Sequence, residues 1–131
     1  MWFKYSVLLN KEEKSIKIKD KTIVGLYEYV TIKGKKIPAR IDSGAVRSSI
    51  DADLAKELGI KDIIGSKKIR NVHGSTLRPL VHINLVLCEK RLKADFTLQS
   101  RTNMKFKILI GQNILMEDFI IDPKKTLVTK E

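Results

Sequence analysis

Short segments rich in β-branched and aromatic residues, separated by turn residues roughly every 8–12 positions, dominate this chain from Thr22 onward. That spacing constrains the fold most, because strands so short must close on themselves or stack to bury their apolar faces. Thr22 to Ile32 carries Ile23, Val24, Tyr27, Tyr29, Val30, Thr31 and Ile32 and reads as one strand. Gly34 in Lys33-Gly34-Lys35-Lys36 supplies a turn, and Ile37 to Ile41 begins a second strand that tolerates Pro38 near its start. Lys68 to Val72, Pro79 to Leu87, Leu92 to Leu98 and Lys107 to Ile110 read as further strands. His73-Gly74-Ser75 and Cys88-Glu89-Lys90-Arg91 read as the turns between them. The expectation is a mainly β barrel or sandwich.

Two short helices interrupt this pattern. Asp51 is placed to cap a helix whose Leu54 and Leu58 stand four apart, and Gly59 ends it after about two turns. A second runs from Gln112 to Glu117, ahead of Phe119-Ile120-Ile121 and the breaker Asp122-Pro123. Ile16 and Ile18 alternate with Lys17 and Lys19, which suits an edge strand guarded by lysine. The chain therefore divides into an extension, residues 1–21, serving as an edge or dimer strand, and one domain over residues 22–131.

Charge and cysteine usage narrow the setting. No apolar run approaches the roughly 20 residues that span a bilayer. Met1 to Asn10 lacks the apolar core and cleavage site of a signal peptide. The single Cys88 permits no internal disulfide and fits a reducing compartment. The expected location is the cytoplasm. A formal net charge of +11 favours an anionic partner: nucleic acid, an acidic polypeptide or an anionic membrane surface. The lysines are scattered, however, with no run longer than Lys35-Lys36, Lys67-Lys68 and Lys124-Lys125, as in a solvated surface. With one Trp, three Tyr, four Phe and no aromatic ribonucleoprotein motif, a nucleic-acid partner is disfavoured. No membrane attachment is expected.

Two segments carry chemistry. Ile41-Asp42-Ser43-Gly44-Ala45 sets a carboxylate on a glycine turn directly after an apolar strand. Ile108-Leu109-Ile110-Gly111-Gln112-Asn113-Ile114-Leu115 is an apolar strand that ends in glycine and turns into a helix. Gly44 permits the backbone to turn sharply just after the carboxylate. Taken alone, Asp42 could equally cap the turn it begins.

Together the two segments resemble the retropepsin-like aspartic proteases, whose Asp-Thr/Ser-Gly loop and later apolar-apolar-Gly-Arg-Asn segment form one lobe of an active site. Gly25-Leu26-Tyr27-Glu28-Tyr29-Val30, Pro38 to Ala45 and Asn103-Met104-Lys105 ahead of Ile108 resemble a prokaryotic branch of that family. The branch is commonly labelled ATP-dependent zinc protease, and its members are associated with ATP-grasp ligases that append glutamate. The resemblance covers residues 22–128. It implies a closed acid-protease barrel with Asp42 as the catalytic carboxylate and Ser43, Gly44 and Ala45 as its supporting loop. Ile110, Gly111, Gln112 and Asn113 would form the second motif. Gln112 stands where the family has Arg, which alters a salt bridge within the lobe. Val46 and Arg47 also depart from the family pattern, in the part of the loop that would meet substrate.

Aspartic proteolysis needs two carboxylates sharing one proton, and this chain has one such loop. The resemblance thus implies a homodimer with one catalytic Asp per chain, with residues 1–10 or 124–131 supplying interface strands. Arg70 to Pro79 falls where retropepsins carry their flap. His73, Gly74 and Ser75 at its tip would touch substrate, or else form an ordinary exposed hairpin. His82 alternates with apolar neighbours and reads as a half-exposed strand residue. His73, His82 and Cys88 are the only soft ligands, and neither a zinc-binding His-Glu-x-x-His nor a phosphate loop occurs, so no zinc, ATP or other cofactor is expected. The leading reading is a homodimeric aspartic peptidase acting on a peptide or acidic protein, with glutamate-rich or glutamyl bonds suiting the charge and a functional link to an ATP-grasp ligase suiting the resemblance. The alternative is a non-catalytic dimeric binding or accessory module for an acidic protein or RNA.

Overall fold

The structure, a computed structural model, describes the backbone of residues 16–125 and the side chains of residues 18–125. Ten strands and two short helices follow one another: β1 Ile16–Ile18, β2 Lys21–Val24, β3 Tyr27–Ile32, β4 Lys35–Ile41, β5 Ser48–Asp51, α1 Ala52–Glu57, β6 Ile63–Asn71, β7 Gly74–Leu87, β8 Lys90–Gln99, β9 Ile108–Ile110, α2 Gln112–Leu115 and β10 Phe119–Ile121. Of the expected interface strands, residues 1–10 and all but the first two of residues 124–131 lie outside the described residues.

Six strands close a barrel in the order β3-β4-β9-β5-β8-β7, with β6 added outside β7. The ring is sealed where β3 meets β7 again, through the register pairs Val30↔Leu87 and Thr31↔Val86. Alternating residues fill it: Val30, Ile32, Ala39, Ile41, Ile50, Val81, Ile83, Leu85, Leu87, Phe96, Ile108 and Ile110 are all buried. The mainly β closed barrel expected above is therefore present.

The segment expected as one strand from Thr22 to Ile32 is two. β2 pairs antiparallel with β1 and parallel with β10 in a separate three-stranded sheet, and the chain enters the barrel only at Tyr27. Gly25 sits at the break. Its N–H donates to Glu28 Oε2 at 2.8 Å, and a Cβ there would collide with the Lys125 carbonyl. The break is thus fixed by a residue 100 positions away.

Lys125 also corrects the reading of the lysines as a solvated population. Its side chain is 1% exposed, its Nζ lies 2.8 Å from Glu28 Oε2, and Glu28 is 7% exposed. The ammonium also donates to the Ile23 carbonyl at 3.0 Å and lies 3.4 Å from Cys88 Sγ. Cys88 and Glu89 form a two-residue turn with φ of 50° and 69°, the left-handed pair that suits the twist of the β7–β8 hairpin. Burial, and then the charge of Glu28, push the Cys88 thiol up to about 12.

α1 forms where expected. The Asp51 side chain accepts from the Leu54 N–H at 3.1 Å, and Gly59 takes φ +76° just beyond the end. The flap hairpin is longer than the sequence suggested. β6 begins at Ile63 and β7 at Gly74, with an irregularity between Ile63 and Gly65. Most of β6 is exposed on both faces, so it lacks the burial alternation that marks a strand.

Candidate active site

β4 delivers Asp42 to the rim of the barrel. The Ile41 N–H donates to the Leu26 carbonyl and the Asp42 N–H to the Ile110 carbonyl, each at 2.9 Å, so the carboxylate leaves a strand held on both sides. The turn then closes on itself: Asp42 Oδ1 accepts from the Gly44 N–H at 2.9 Å, and the Ala45 N–H returns to the Asp42 carbonyl at 3.2 Å. Asp42 is half-buried, while Ser43 and Gly44 are exposed. The carboxylate is fixed in place yet reachable from outside the chain.

The second motif locks against this loop from below. β4 and β9 run parallel, Ile41 beside Ile110, which brings Gly111 under Ala45 and Arg47. The Gln112 N–H donates to the Ala45 carbonyl at 2.7 Å, and the Asn113 N–H to the Val46 carbonyl at 3.2 Å. Ser48 ties the two segments further: its hydroxyl accepts from the Gly111 N–H at 2.9 Å and donates to Asn113 Oδ1 at 2.8 Å. Asn113 Nδ2 reaches the Asp95 carbonyl at 2.9 Å. Gln112 forms no salt bridge. Its Nε2 donates to the Ser43 carbonyl at 2.8 Å, holding the Asp-Ser-Gly turn through a neutral bond.

A cleft of about 490 Å³ opens between this loop and the flap. Its wall starts at Ala45, three residues after Asp42, and continues through Val46, Arg47 and Ser49. The flap contributes Lys67, Lys68, Ile69, Arg70 and Arg78, and the floor includes Thr97, Gln99, Arg101 and Leu109. Every charged residue of this lining is a cation. The tip residues His73, Gly74 and Ser75 are exposed and lie outside the wall, with the His73 N–H turned back to Asn71 Oδ1 at 2.8 Å. The shank of the flap faces the cleft instead.

Arg101, which belongs to none of the sequence motifs, is 4% exposed. Its Nε donates to the Phe106 carbonyl at 2.9 Å and its Nη1 to Ser49 Oγ at 3.4 Å. Burial, and then the charge of Arg40, lower the proton affinity of the guanidinium, while Asp51 and Asp42 pull it back up. Asp51 lies beneath, accepting from the Arg101 N–H at 2.6 Å. Burial pushes the Asp51 carboxyl up, but the N–H donors of Arg101 and Leu54, with the charge of Lys107, outweigh it and leave the group below the ordinary carboxylate range. The other outlying residue is His82, whose Nδ1 lies 2.6 Å from Asp95 Oδ1, with Arg47 Nη1 3.9 Å from Asp95 Oδ2.

The soft metal-ligand candidates are scattered: His73 at the flap tip, His82 beside Asp95, and Cys88 at the β7–β8 turn. Among the described residues no three His, Cys, Asp or Glu side chains gather as a metal site would need. No helix among them is long and apolar enough to cross a membrane.

Comparison with known proteins agrees with this geometry. A family model described as RimB-like, retropepsin-like aspartic endopeptidase RimB, matches residues 55–131, more than half of the chain and including the second motif. The match begins after Asp42. A protein of Parasynechococcus marenigrum named "Probable alpha-L-glutamate ligase" is 26% identical over 79% of this chain, and the chain spans only 28% of that relative's length. The crystal structure of Lpg0085 from Legionella pneumophila, of unknown function, superposes with a TM-score of 0.62 at 21% identity, over 82% of this chain and 98% of that one. The simian foamy virus protease superposes with a TM-score of 0.55 at 18% identity, over 69% of this chain and 91% of its own.

Proposed function

This chain belongs to the RimB-like family of retropepsin-like aspartic endopeptidases, and from that premise we propose that it is an aspartic peptidase of acidic, glutamate-rich polypeptides, active as a homodimer with Asp42 contributed by each copy. The observation that carries this reading is the cleft that begins at Ala45, three residues after Asp42, whose charged lining of Arg47, Lys67, Lys68, Arg70, Arg78 and Arg101 is entirely cationic. Such a groove concentrates anionic chains and repels basic ones.

The chemistry needs two carboxylates about 3 Å apart, which cannot both ionise and therefore share one proton. In a two-fold assembly the exposed Asp42-Ser43-Gly44 turns of two copies would face each other. The ionised Asp42 takes a proton from water as its oxygen attacks the peptide carbonyl. The protonated Asp42 donates to the carbonyl oxygen. The resulting gem-diol collapses, the C–N bond breaks, and the nitrogen leaves with a proton. Ser48, Gln112 and Asn113 hold the loop still while this happens. A glutamate ligase of the kind named among the relatives would make a suitable acidic tail for this chain to trim. A cytoplasmic setting fits both the single cysteine and such a partner.

The Gly44 N–H bond to Asp42 Oδ1 favours a second reading, in which Asp42 only caps its turn and the dimer is a binding module. One assay separates the two. Wild type and Asp42→Asn are incubated with peptides bearing an oligoglutamate or an oligoglutamine tail, and products are read by mass spectrometry. Cleavage of the glutamate tail that Asp42→Asn abolishes is the expected result. Asn caps a turn about as well as Asp, so thermal unfolding of the variant should match wild type. Equal cleavage by both proteins would remove the aspartic mechanism, and cleavage by neither would leave the binding module. Sedimentation at high micromolar concentration should show a dimer.

A further inference from the structure

We propose that Arg101 is the specificity anchor of the cleft, receiving the side-chain carboxylate of a substrate glutamate bound beside Asp42. This rests on the acidic-substrate reading above and narrows it to one guanidinium.

The other cations of the cleft are exposed or engaged. Lys67, Lys68 and Arg70 are exposed along β6. Arg78 Nη1 is bonded to Gln99 Oε1, and Arg47 faces Asp95. Arg101 differs from all of them. It is 4% exposed, and none of the described carboxylates forms an ion pair with it. Asp51 accepts from its main-chain N–H, not from its guanidinium. The side-chain acceptors it does have, the Phe106 carbonyl and Ser49 Oγ, are neutral.

A buried cation whose bonded acceptors are neutral carries a desolvation cost that the more distant charges of Asp51 and Asp42 offset only in part, and a carboxylate in direct contact would offset the rest. The same surroundings make it selective. A guanidinium has five N–H donors, and two bonds leave others for a ligand. Those bonds set the plane of the group. The main chain is held as well: the Arg101 N–H binds Asp51, and Lys107 Nζ donates to the Arg101 and Thr102 carbonyls at 3.3 and 3.0 Å. A planar fork fixed in this way matches a carboxylate in two-point contact. Glutamine is nearly the same shape, but it presents an amide NH₂ to a donor and leaves the charge unanswered.

The test compares kcat/KM for glutamate-tailed and glutamine-tailed peptides in wild type, Arg101→Gln, Arg101→Lys and Arg91→Gln, the last removing an exposed cation outside the cleft. A charge-assisted hydrogen bond corresponds to about a 10- to 150-fold preference. Arg101→Gln should lose a factor of that size in the glutamate-over-glutamine ratio, Arg101→Lys should recover part of it, and Arg91→Gln should keep it. The ratio reports selectivity, which a purely structural loss would leave alone. An unchanged ratio in both Arg101 variants overturns the anchor while the acidic-substrate reading stands. A wild-type ratio near one, or no cleavage of either peptide, overturns both. Should the variants fail to fold, arginine Nε–Hε NMR signals are followed in Asp42→Asn protein. Arg101, bonded to Phe106, should give a slowly exchanging signal that moves with oligoglutamate and not with oligoglutamine. A stationary signal overturns the proposal.

Discussion

Asn113 and Ser48 are joined twice: Asn113 Oδ1 accepts both the Ser48 N–H at 2.9 Å and the Ser48 hydroxyl at 2.8 Å. Through this pair, and through Asn113 Nδ2 on the Asp95 carbonyl, strands β5 and β8 are fastened to α2 under the Asp42 loop.

Asn113→Ala should therefore cost about 2–4 kcal/mol of stability, because it leaves partly buried donors and an acceptor without partners. Asn113→Asp keeps the doubly used oxygen but turns an acceptor in place of a donor toward the Asp95 carbonyl, so it should recover only part of that loss. Urea unfolding of the two variants checks the ranking. Equal losses would mean that Ser48 is held by something else.

Gly111→Ala should be more damaging than an added methyl suggests. The new Cβ would stand 2.8 Å from the Ala45 oxygen and 2.8 Å from the Arg47 carbonyl carbon, both main-chain atoms that cannot swing aside. A loss of about 1–3 kcal/mol is expected in thermal unfolding, with the Asp42 loop displaced. Because φ at Gly111 is −108°, strain in the backbone itself plays no part.

Lys125→Met should cost about 3–5 kcal/mol by leaving Glu28 buried without its counter-charge. Adding Glu28→Gln, whose amide oxygen can still accept from the Gly25 N–H, should recover more than half of that loss. Additive losses in the double-mutant cycle would show the two side chains to be uncoupled.

Cys88 predicts a pH window. Its thiol titrates near 9.0 when unfolded and at about 12 in the fold, so between these values the unfolded chain binds fewer protons. The contribution of Cys88 is fully present below pH 9 and is lost as pH rises toward 12. Wild type should lose stability over that range faster than Cys88→Ala, which isolates the thiol from the titrating lysines. Folded protein should also react slowly with iodoacetamide near pH 8, and quickly in denaturant.

The parts of the site legible in the sequence are those whose partners are local or periodic. Asp42-Ser43-Gly44 follows an alternating strand, and Ile108 to Asn113 shows an apolar run closing on glycine. Arg101 escaped notice because Ser100-Arg101-Thr102-Asn103 reads as a polar loop, and its burial depends on Phe106 and Ser49 arriving from elsewhere. Lys125 read as one half of an ordinary surface pair for the same reason. The flap shank was underestimated because exposure on both faces erases the two-residue period of burial.

The barrel is sealed by two register pairs between β3 and β7, and Lys125 grips both sides of that seam, holding Glu28 on β3 and lying against Cys88 beyond the end of β7. It also binds the Ile23 carbonyl, 102 residues earlier in the chain. During synthesis, which runs from the N-terminus at about 5–20 residues per second, the clasp cannot shut until this lysine has left the ribosome. For those seconds β2 has no β10 to pair with, and the two-pair seam between β3 and β7 lacks its clasp. Folding of this small domain is thus tied to one of the last described residues to be made, a strongly non-local closure of the kind that slows β proteins.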